Sequence, residues 1–320
     1  MAGLQARTER NLDMNSNKQK LVLVTGATGI QGGAVADEAL KQGFNVRILV
    51  RNKAKAQAQA LIQKGAQAVV GDFDDPVSLD NALRDVDALF SVPISGVDTV
   101  ETDRERKQAH ALIHSAVKNN VKQIVHTSVA ATSRYKEFPK WGTGYWFEKY
   151  WTDKWDVEEA VRSAGFETWT ILKPAAMMGN FTEKVAAMYP EFKHGKIKTA
   201  TFVDTSIDHI AMTDVAKFAV AAFADPEKFN KQNIELAEES ISYGKIAEII
   251  SAVTGKSVKA VNLSYEDALE EGAHIFSVRG DEWNNTVGYN VDIDLLKTYG
   301  IKLTSFREFV EKNKNQFKID

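Results

Sequence analysis

Apolar and polar positions along the chain alternate in blocks from Leu21 onward. Residues 21–25 form a short apolar run, the pattern of a strand buried on both faces. Residues 34–42 carry helical spacing and end at Gly43, a natural C-cap. The same alternation predicts strands over 45–50, 68–70, 88–92, 123–127 and 168–172. Helices are predicted between them over 53–64, 77–84, 104–119 and 148–163. Strands that alternate with helices need right-handed crossovers, which give a parallel sheet covered on both faces. The expected class is therefore α/β, a doubly wound parallel sheet. Beyond Pro174 the pattern loosens into short strands at 234–236 and 258–262 around a helix at 244–254, read as a smaller C-terminal α/β lobe. Residues 1–18 are polar and read as a disordered tail, with Met14 an alternative natural start. The domain expectation is thus a tail at 1–18, a sheet domain at 19–174 and a substrate or partner lobe at 175–320, with strands open to sharing between the last two.

The first strand-to-helix turn carries the strongest chemical signal. Gly26, Gly29 and Gly32 form G-x-x-G-x-x-G between a strand and a helix. Such glycines allow a tight turn, close approach of backbone to a pyrophosphate, and close helix–strand packing. The helix N-terminus adds unpaired N–H groups and partial positive charge for phosphates. The context of strand, turn and helix predicts a Rossmann dinucleotide-binding turn; a glycine-rich turn with no ligand is the competing reading. The second strand selects the cofactor. It ends at Val50-Arg51-Asn52-Lys53, without the carboxylate that binds a free ribose 2′-hydroxyl. Arg51 offers a bidentate partner for a 2′-phosphate, with Lys53 adding charge, so NADP(H) is expected; a solvated basic loop is the alternative. Asp72, after the third strand, is placed to accept from an adenine amino group; an acidic loop before a helix is the competing reading. The residues expected against the dinucleotide are Gly26, Thr28, Gly29, Ile30, Gln31, Gly32, Arg51, Lys53, Asp72, Phe73, Ser91, Val92 and Lys154.

Several segments together resemble one family. The turn Gly26–Gly33, the strand end Val50-Arg51-Asn52 and the run Gly71-Asp72-Phe73-Asp74-Asp75-Pro76 are similar to those of NmrA-like proteins. So are Lys154–Glu159, Ser163-Ala164-Gly165, Thr170–Pro174, Gly179-Asn180-Phe181, Ala211–Ala216 and Leu303–Phe309. The resemblance spans residues 20 to 313. It implies an atypical short-chain dehydrogenase/reductase relative with a Rossmann domain and bound NADP(H). The family holds both reductases and redox-sensing regulators, and a shared fold does not choose between them.

That choice turns on residues 144–154. Short-chain reductases place Tyr and Lys four apart on one helix face, where the ammonium favours the phenolate. Here two such pairs occur, Tyr145 with Lys149 and Tyr150 with Lys154. They diverge by about 140° around a helix, so only one faces the cofactor. The resemblance favours Tyr150 and Lys154, because Val157-Glu158-Glu159 follows at the family's offset. A tyrosine four before a lysine is also commonplace on helices. Ser128, ending the fifth strand, stands where a third member would polarise a substrate carbonyl; a serine that merely satisfies backbone is the alternative. The fourth strand ends Phe90-Ser91-Val92-Pro93, without the Asn-Asn-Ala-Gly of typical short-chain enzymes, which removes a relay through that Asn. Four of the six tryptophans fall within residues 141–155, suited to a flat apolar substrate or to core packing. Pro93, Trp151, Met177, Met178 and Phe181 are the expected pocket residues, with core packing again the alternative.

Composition narrows the remainder. A net charge of −3 gives no field that favours nucleic acid or anionic lipid. Cysteine is absent, which excludes thiolate chemistry and disulfides. No run approaches a membrane span, and the N-terminus lacks a signal-peptide core, so a cytoplasmic location is expected. His110 and His114 lie one turn apart without the Glu and third ligand of a hydrolytic zinc site, so no metal is expected. No G-x-S-x-G elbow occurs. The expected function is NADPH-dependent reduction of a carbonyl or conjugated C=C in a small aromatic or quinone-like compound, by a monomer or homodimer. The alternatives are an NADP(H)-sensing regulator that binds a partner protein and, third, a nucleotide-sugar epimerase.

Overall fold

The computed structural model describes residues 20–93, 103–183 and 188–320. The tail expected at 1–18 lies outside them. Six strands come first, β1 (Leu21–Val24), β2 (Asn45–Val50), β3 (Gln67–Val70), β4 (Ala88–Ser91), β5 (Gln123–Thr127) and β6 (Thr168–Pro174). Six more follow, β7 (Ala176–Met177), β8 (Lys196–Thr199), β9 (Ser206–Ile210), β10 (Gln232–Leu236), β11 (Glu239–Ser242) and β12 (Lys259–Asn262). The helices that matter below are α1 (Ile30–Lys41), α2 (Ala56–Gln63), α3 (Pro76–Leu83), α4 (Arg104–Lys118), α5 (Glu148–Ser163), α6 (Met212–Ala224), α7 (Tyr243–Thr254), α8 (Ile275–Thr286) and α9 (Phe306–Lys312).

Seven strands form one sheet in the order β10-β6-β5-β4-β1-β2-β3. Strands β1 to β6 pair in parallel, with Val22 opposite both Val46 and Ala88, and His126 opposite Ser91. The order reverses at β1, which puts the switch point of a doubly wound sheet between β1 and β4. This is the α/β Rossmann architecture that the alternation predicts. One face of the sheet buries Leu23, Leu89, Ile124 and Ile171 against Leu79 and Leu83 of α3, Leu112 of α4, and Val157 and Val161 of α5. Helix α1 buries Val35, Ala36 and Ala39 completely. Helix α5 occupies 148–163 as its periodicity predicts. Helix α1 starts four residues before the predicted Ala34, because the chain turns helical directly at Gly29 despite Gly32 and Gly33.

Two compact units divide the described chain. The first takes the residues up to Ser128, then Thr152–Lys173 and Val215–Ile234. The second takes Val129–Trp151, Pro174–Asp214 and Glu235–Asp320. The chain thus passes between units several times, where the sequence pattern suggests one crossing near 174. Residues 215–234 return to the first unit for a packing reason. Phe223 of α6 meets Phe44 edge-on at 6.2 Å, and the Lys20 ammonium donates to the Phe223 carbonyl at 2.7 Å. Helix α6 is largely apolar, with Val215, Ala216, Phe218, Ala219, Val220, Ala222 and Phe223 all buried.

The second unit holds a three-stranded sheet, β11-β9-β7, and the parallel pair β12-β8. Its core gathers Met178, Phe181, Ile207, Ile246 and Ile250 with Phe306 and Val310 of α9. Among the described residues, no helix is long and apolar enough to cross a membrane.

Candidate functional site: a glycine turn and a buried charge ladder

The first unit brings the cofactor-side candidates together at the C-terminal ends of its strands. Thr25 pins the glycine turn to β4. Its hydroxyl donates to the Phe90 carbonyl at 3.0 Å, and the same oxygen accepts from the Val92 N–H at 2.9 Å. The three glycines then answer to different constraints. Gly26 has φ +61°, and a Cβ there would stand 2.7 Å from a Val92 methyl. A Cβ on Gly32 would lie 2.3 Å from the Thr25 carbonyl oxygen. Both positions exclude side chains for reasons internal to the fold. Gly29 differs. It is an exposed N-cap with extended backbone, no side-chain capping bond, and only the Gly26 carbonyl, at 3.2 Å, near its missing Cβ. The first turn of α1 therefore presents its N–H groups outward from an open cradle, with no acidic residue in that turn. Thr28 is half-buried and Ile30 exposed beside it. Gln31 reaches back instead, its amide donating to the Thr127 hydroxyl at 2.5 Å, and so ties α1 to the end of β5.

On the β2 side, Arg51 and Lys53 are exposed. Asn52 caps its own loop by accepting from the Ala54 N–H at 2.8 Å, and Gln59 donates to the Lys53 carbonyl at 2.8 Å. Among the described residues the Arg51 guanidinium makes no hydrogen bond or ion pair. Asp72 is half-buried and accepts from the Asp74 N–H at 3.0 Å. Phe73 is a core residue of the sheet face.

At the ends of β4 and β5, Ser91 and His126 are buried together, with Nδ1 of the imidazole 3.1 Å from the Ser91 hydroxyl. Burial first, then the nearby Lys154 cation, brings the His126 pKa down to about 3, so the ring is neutral. Val92 and Pro93 follow, half-buried and buried.

The remaining candidates of this unit lie in a charge ladder that the pattern of the sequence did not single out. Lys154 forms an ion pair with Glu105, in the first turn of α4, and both side chains are about nine-tenths buried. Ser128 donates its hydroxyl hydrogen to Oε1 of Glu158 at 2.6 Å. Oε2 of Glu158 receives Lys173 at 2.8 Å and Arg162 at 2.7 Å, and the Glu158 and Lys173 side chains have no exposed area. Two signals for this cluster were present: Lys154, Glu158 and Arg162 recur every fourth residue on α5, and Lys173 interrupts an apolar strand end.

Tyr150, Trp151, Met177, Met178 and Phe181 belong to the second unit. Tyr150 meets Trp151 and Phe276 edge-on, at 5.3 and 5.9 Å. Trp151 is 8% exposed and packs between Phe138 and Trp283. Met178 and Phe181 are core residues, Phe181 stacking on Tyr189, whereas Met177 is exposed. Tyr145 is bound elsewhere. Its hydroxyl donates to Glu282, and Lys140 and Arg279 lie over its ring at 3.6 and 3.9 Å. In the first unit, His110 meets Asp156 at 2.6 Å. No group of three His, Asp or Glu that could hold a metal occurs among the described residues.

The chain is similar to several known proteins in sequence and in fold. An uncharacterized oxidoreductase of Bacillus subtilis is 28% identical over 248 residues, 77% of this chain and 76% of the relative. Citrobacter triphenylmethane reductase, solved with NADP(H), superposes with a TM-score of 0.72 at 21% identity, covering 92% of this chain and 99% of that one. An NADPH-dependent quinone oxidoreductase of Escherichia coli, solved with NADPH, gives 0.71 at 23% identity, covering 91% and 99%. NmrA, a negative transcriptional regulator solved with NADP, gives 0.69 at 19% identity, covering 92% and 95%. The model of the NmrA-like family matches residues 18–310, and with the glycine turn and strand order above, the chain belongs to the NmrA-like family.

Proposed function

We propose that the chain is an NADPH-dependent reductase of a carbonyl or conjugated C=C in a small aromatic or quinone-like compound. The observation that carries the proposal is the open cradle at Gly29. An uncapped helix N-terminus stands at the switch point of the sheet, and the adjacent strand end offers a guanidinium in place of a carboxylate. The residues present fit a dinucleotide. The N–H groups of the turn and of α1 would hold its diphosphate, and Arg51 would pair with the 2′-phosphate. Relatives and fold neighbours that are named oxidoreductases support an enzyme.

When bound, the dinucleotide supplies the hydride. The chain's own residues would orient it and deliver the proton. Tyr150 precedes Lys154 by four residues on α5, the spacing of a Tyr–Lys pair, and Tyr150 is the proposed proton donor. Lys154 is held by Glu105, which directs the ammonium and offsets part of its charge. Its pull on the phenol is therefore weaker than that of an uncompensated lysine.

A second reading, an NADP(H) sensor without turnover, is favoured by one specific observation. Two of the three polar groups expected at the reacting centre, Lys154 and Ser128, are each engaged by a buried carboxylate. The deciding experiment is NADPH oxidation by the purified chain, screened over quinones, enones and aldehydes, alongside direct NADPH titration. Turnover supports the reductase, and tight binding without turnover supports the sensor.

A further inference from the structure

The hydroxyl of Ser128 has one hydrogen, and its direction decides what the residue can do. Ser128 directly follows β5 at the C-terminal end of the sheet, and its own N–H donates to the Leu172 carbonyl at 2.8 Å. Its hydroxyl hydrogen goes to Oε1 of Glu158 at 2.6 Å. Glu158 is fixed in turn. Its other oxygen receives Lys173 at 2.8 Å and Arg162 at 2.7 Å, and its side chain is wholly buried. Two cations on one buried carboxylate keep it ionised, and an ionised carboxylate accepts without donating. A hydrogen bond to a charged acceptor is roughly twice as strong as one to a neutral acceptor. A neutral carbonyl oxygen arriving beside Ser128 therefore does not draw that hydrogen away from Glu158. What Ser128 has left to offer a ligand is a lone pair.

The sheet order says which part of a ligand would meet it. The order reverses at β1, and a dinucleotide lies across that reversal. Arg51, at the end of β2, marks the adenosine side. The ends of β4 and β5 then lie on the nicotinamide side, and Gln31 ties the glycine-turn helix to β5 one residue before Ser128. We infer that Glu158 is a positioning residue that holds Ser128 as a hydrogen-bond acceptor, so that Ser128 receives an N–H or O–H from the nicotinamide half of a bound dinucleotide instead of polarising a substrate carbonyl. This rests on the NADP(H)-binding reading above. It gives Lys173 and Arg162 a task as well, since they keep Glu158 charged.

NADPH titration without any substrate tests it, with wild type, Ser128→Ala, Ser128→Thr, Glu158→Asp and the Ser128→Ala/Glu158→Asp double variant. Glu158→Asp keeps a carboxylate for Lys173 and Arg162 but withdraws it from Ser128 by one methylene. Ser128→Ala should weaken NADPH binding by about 3- to 10-fold, the scale of one hydrogen bond. Ser128→Thr keeps the hydroxyl and should hold affinity within about 2-fold. Glu158→Asp should weaken binding by a similar factor alone and by less than about 2-fold once Ser128 is Ala, because the two act as one unit. If thermal melting shows Glu158→Asp unfolded, Glu158→Leu combined with Lys173→Met removes the acceptor together with its buried cation and replaces it in the cycle. Ser128→Ala with unchanged NADPH affinity overturns the acceptor role. A Glu158 substitution of equal effect in both Ser128 backgrounds overturns the positioning role. A wild type that does not bind NADPH overturns the function reading itself, which is a separate result.

Discussion

At the residue scale, the proposed preference for NADPH over NADH rests on Arg51. It is exposed, and among the described residues it makes no hydrogen bond or ion pair, so an added phosphate meets a guanidinium with its donors available. Arg51→Ala should reduce NADPH affinity by about 1.5–3 kcal/mol, the value of a charge-assisted contact, and leave NADH affinity nearly unchanged. Paired titrations with both cofactors check this; NADH bound as well as NADPH by the wild type would defeat it. His126 is a different kind of residue, buried and neutral with its pKa down to about 3. Its unfolded form protonates near 6.5. Between those values the unfolded chain binds the extra proton, so the His126 contribution to stability is complete above about 6.5 and is lost as pH falls toward about 3. Denaturant midpoints measured across that window should fall with pH, and His126→Gln should flatten the slope. A slope unchanged by the substitution would show that other groups cause it. Arg51 was legible in the sequence because a strand end and its charge are local. The partners of Ser128 and Lys154 were not. Glu158 was visible only as one rung of a charged helix, and the segments that put it against Ser128 and Lys173 lie far apart along the chain.

At the element scale, the glycine turn separates folding from binding. Gly32→Ala forces a Cβ to within 2.3 Å of backbone and should cost stability directly. Gly29→Val meets only one backbone oxygen at 3.2 Å, so the protein should fold and lose dinucleotide binding, because the side chain fills the cradle. Thermal melting beside NADPH titration distinguishes them. A Gly29→Val chain that folds and still binds normally would place the site elsewhere. On α5, Tyr150→Phe should leave NADPH affinity intact while lowering turnover by roughly 10²–10⁴-fold, the scale of a general acid. Tyr145→Phe should be nearly silent in turnover, since that hydroxyl is bound to Glu282. Lys154→Ala strands the buried Glu105 carboxylate and should cost about 3–5 kcal/mol of stability. Lys154→Met together with Glu105→Gln removes both charges, and its NADPH affinity reports the ammonium's share in binding. Turnover that survives Tyr150→Phe would assign the proton to another donor.

At the scale of the whole molecule, the six parallel strands and their covering helices were legible because each short apolar run sits between periodic helices. The later chain was less so. Strand β7 has two residues, too short to show a period. The return of residues 215–234 to the first unit rests on long-range contacts of Phe223 that no local pattern encodes. Of the site candidates, the glycine turn was legible because it is one continuous segment, whereas the pocket candidates are scattered aromatics and methionines whose burial only the fold decides. Trp151, Met178 and Phe181 lie in cores, and Met177 alone among them is exposed. The most direct measurement is therefore steady-state consumption of NADPH and of NADH by the wild-type chain over one panel of quinones, enones and aryl aldehydes. The account predicts turnover of at least one member, with NADPH preferred over NADH. Tight NADPH binding with no turnover of any member would contradict it and move the chain to the sensors of its family.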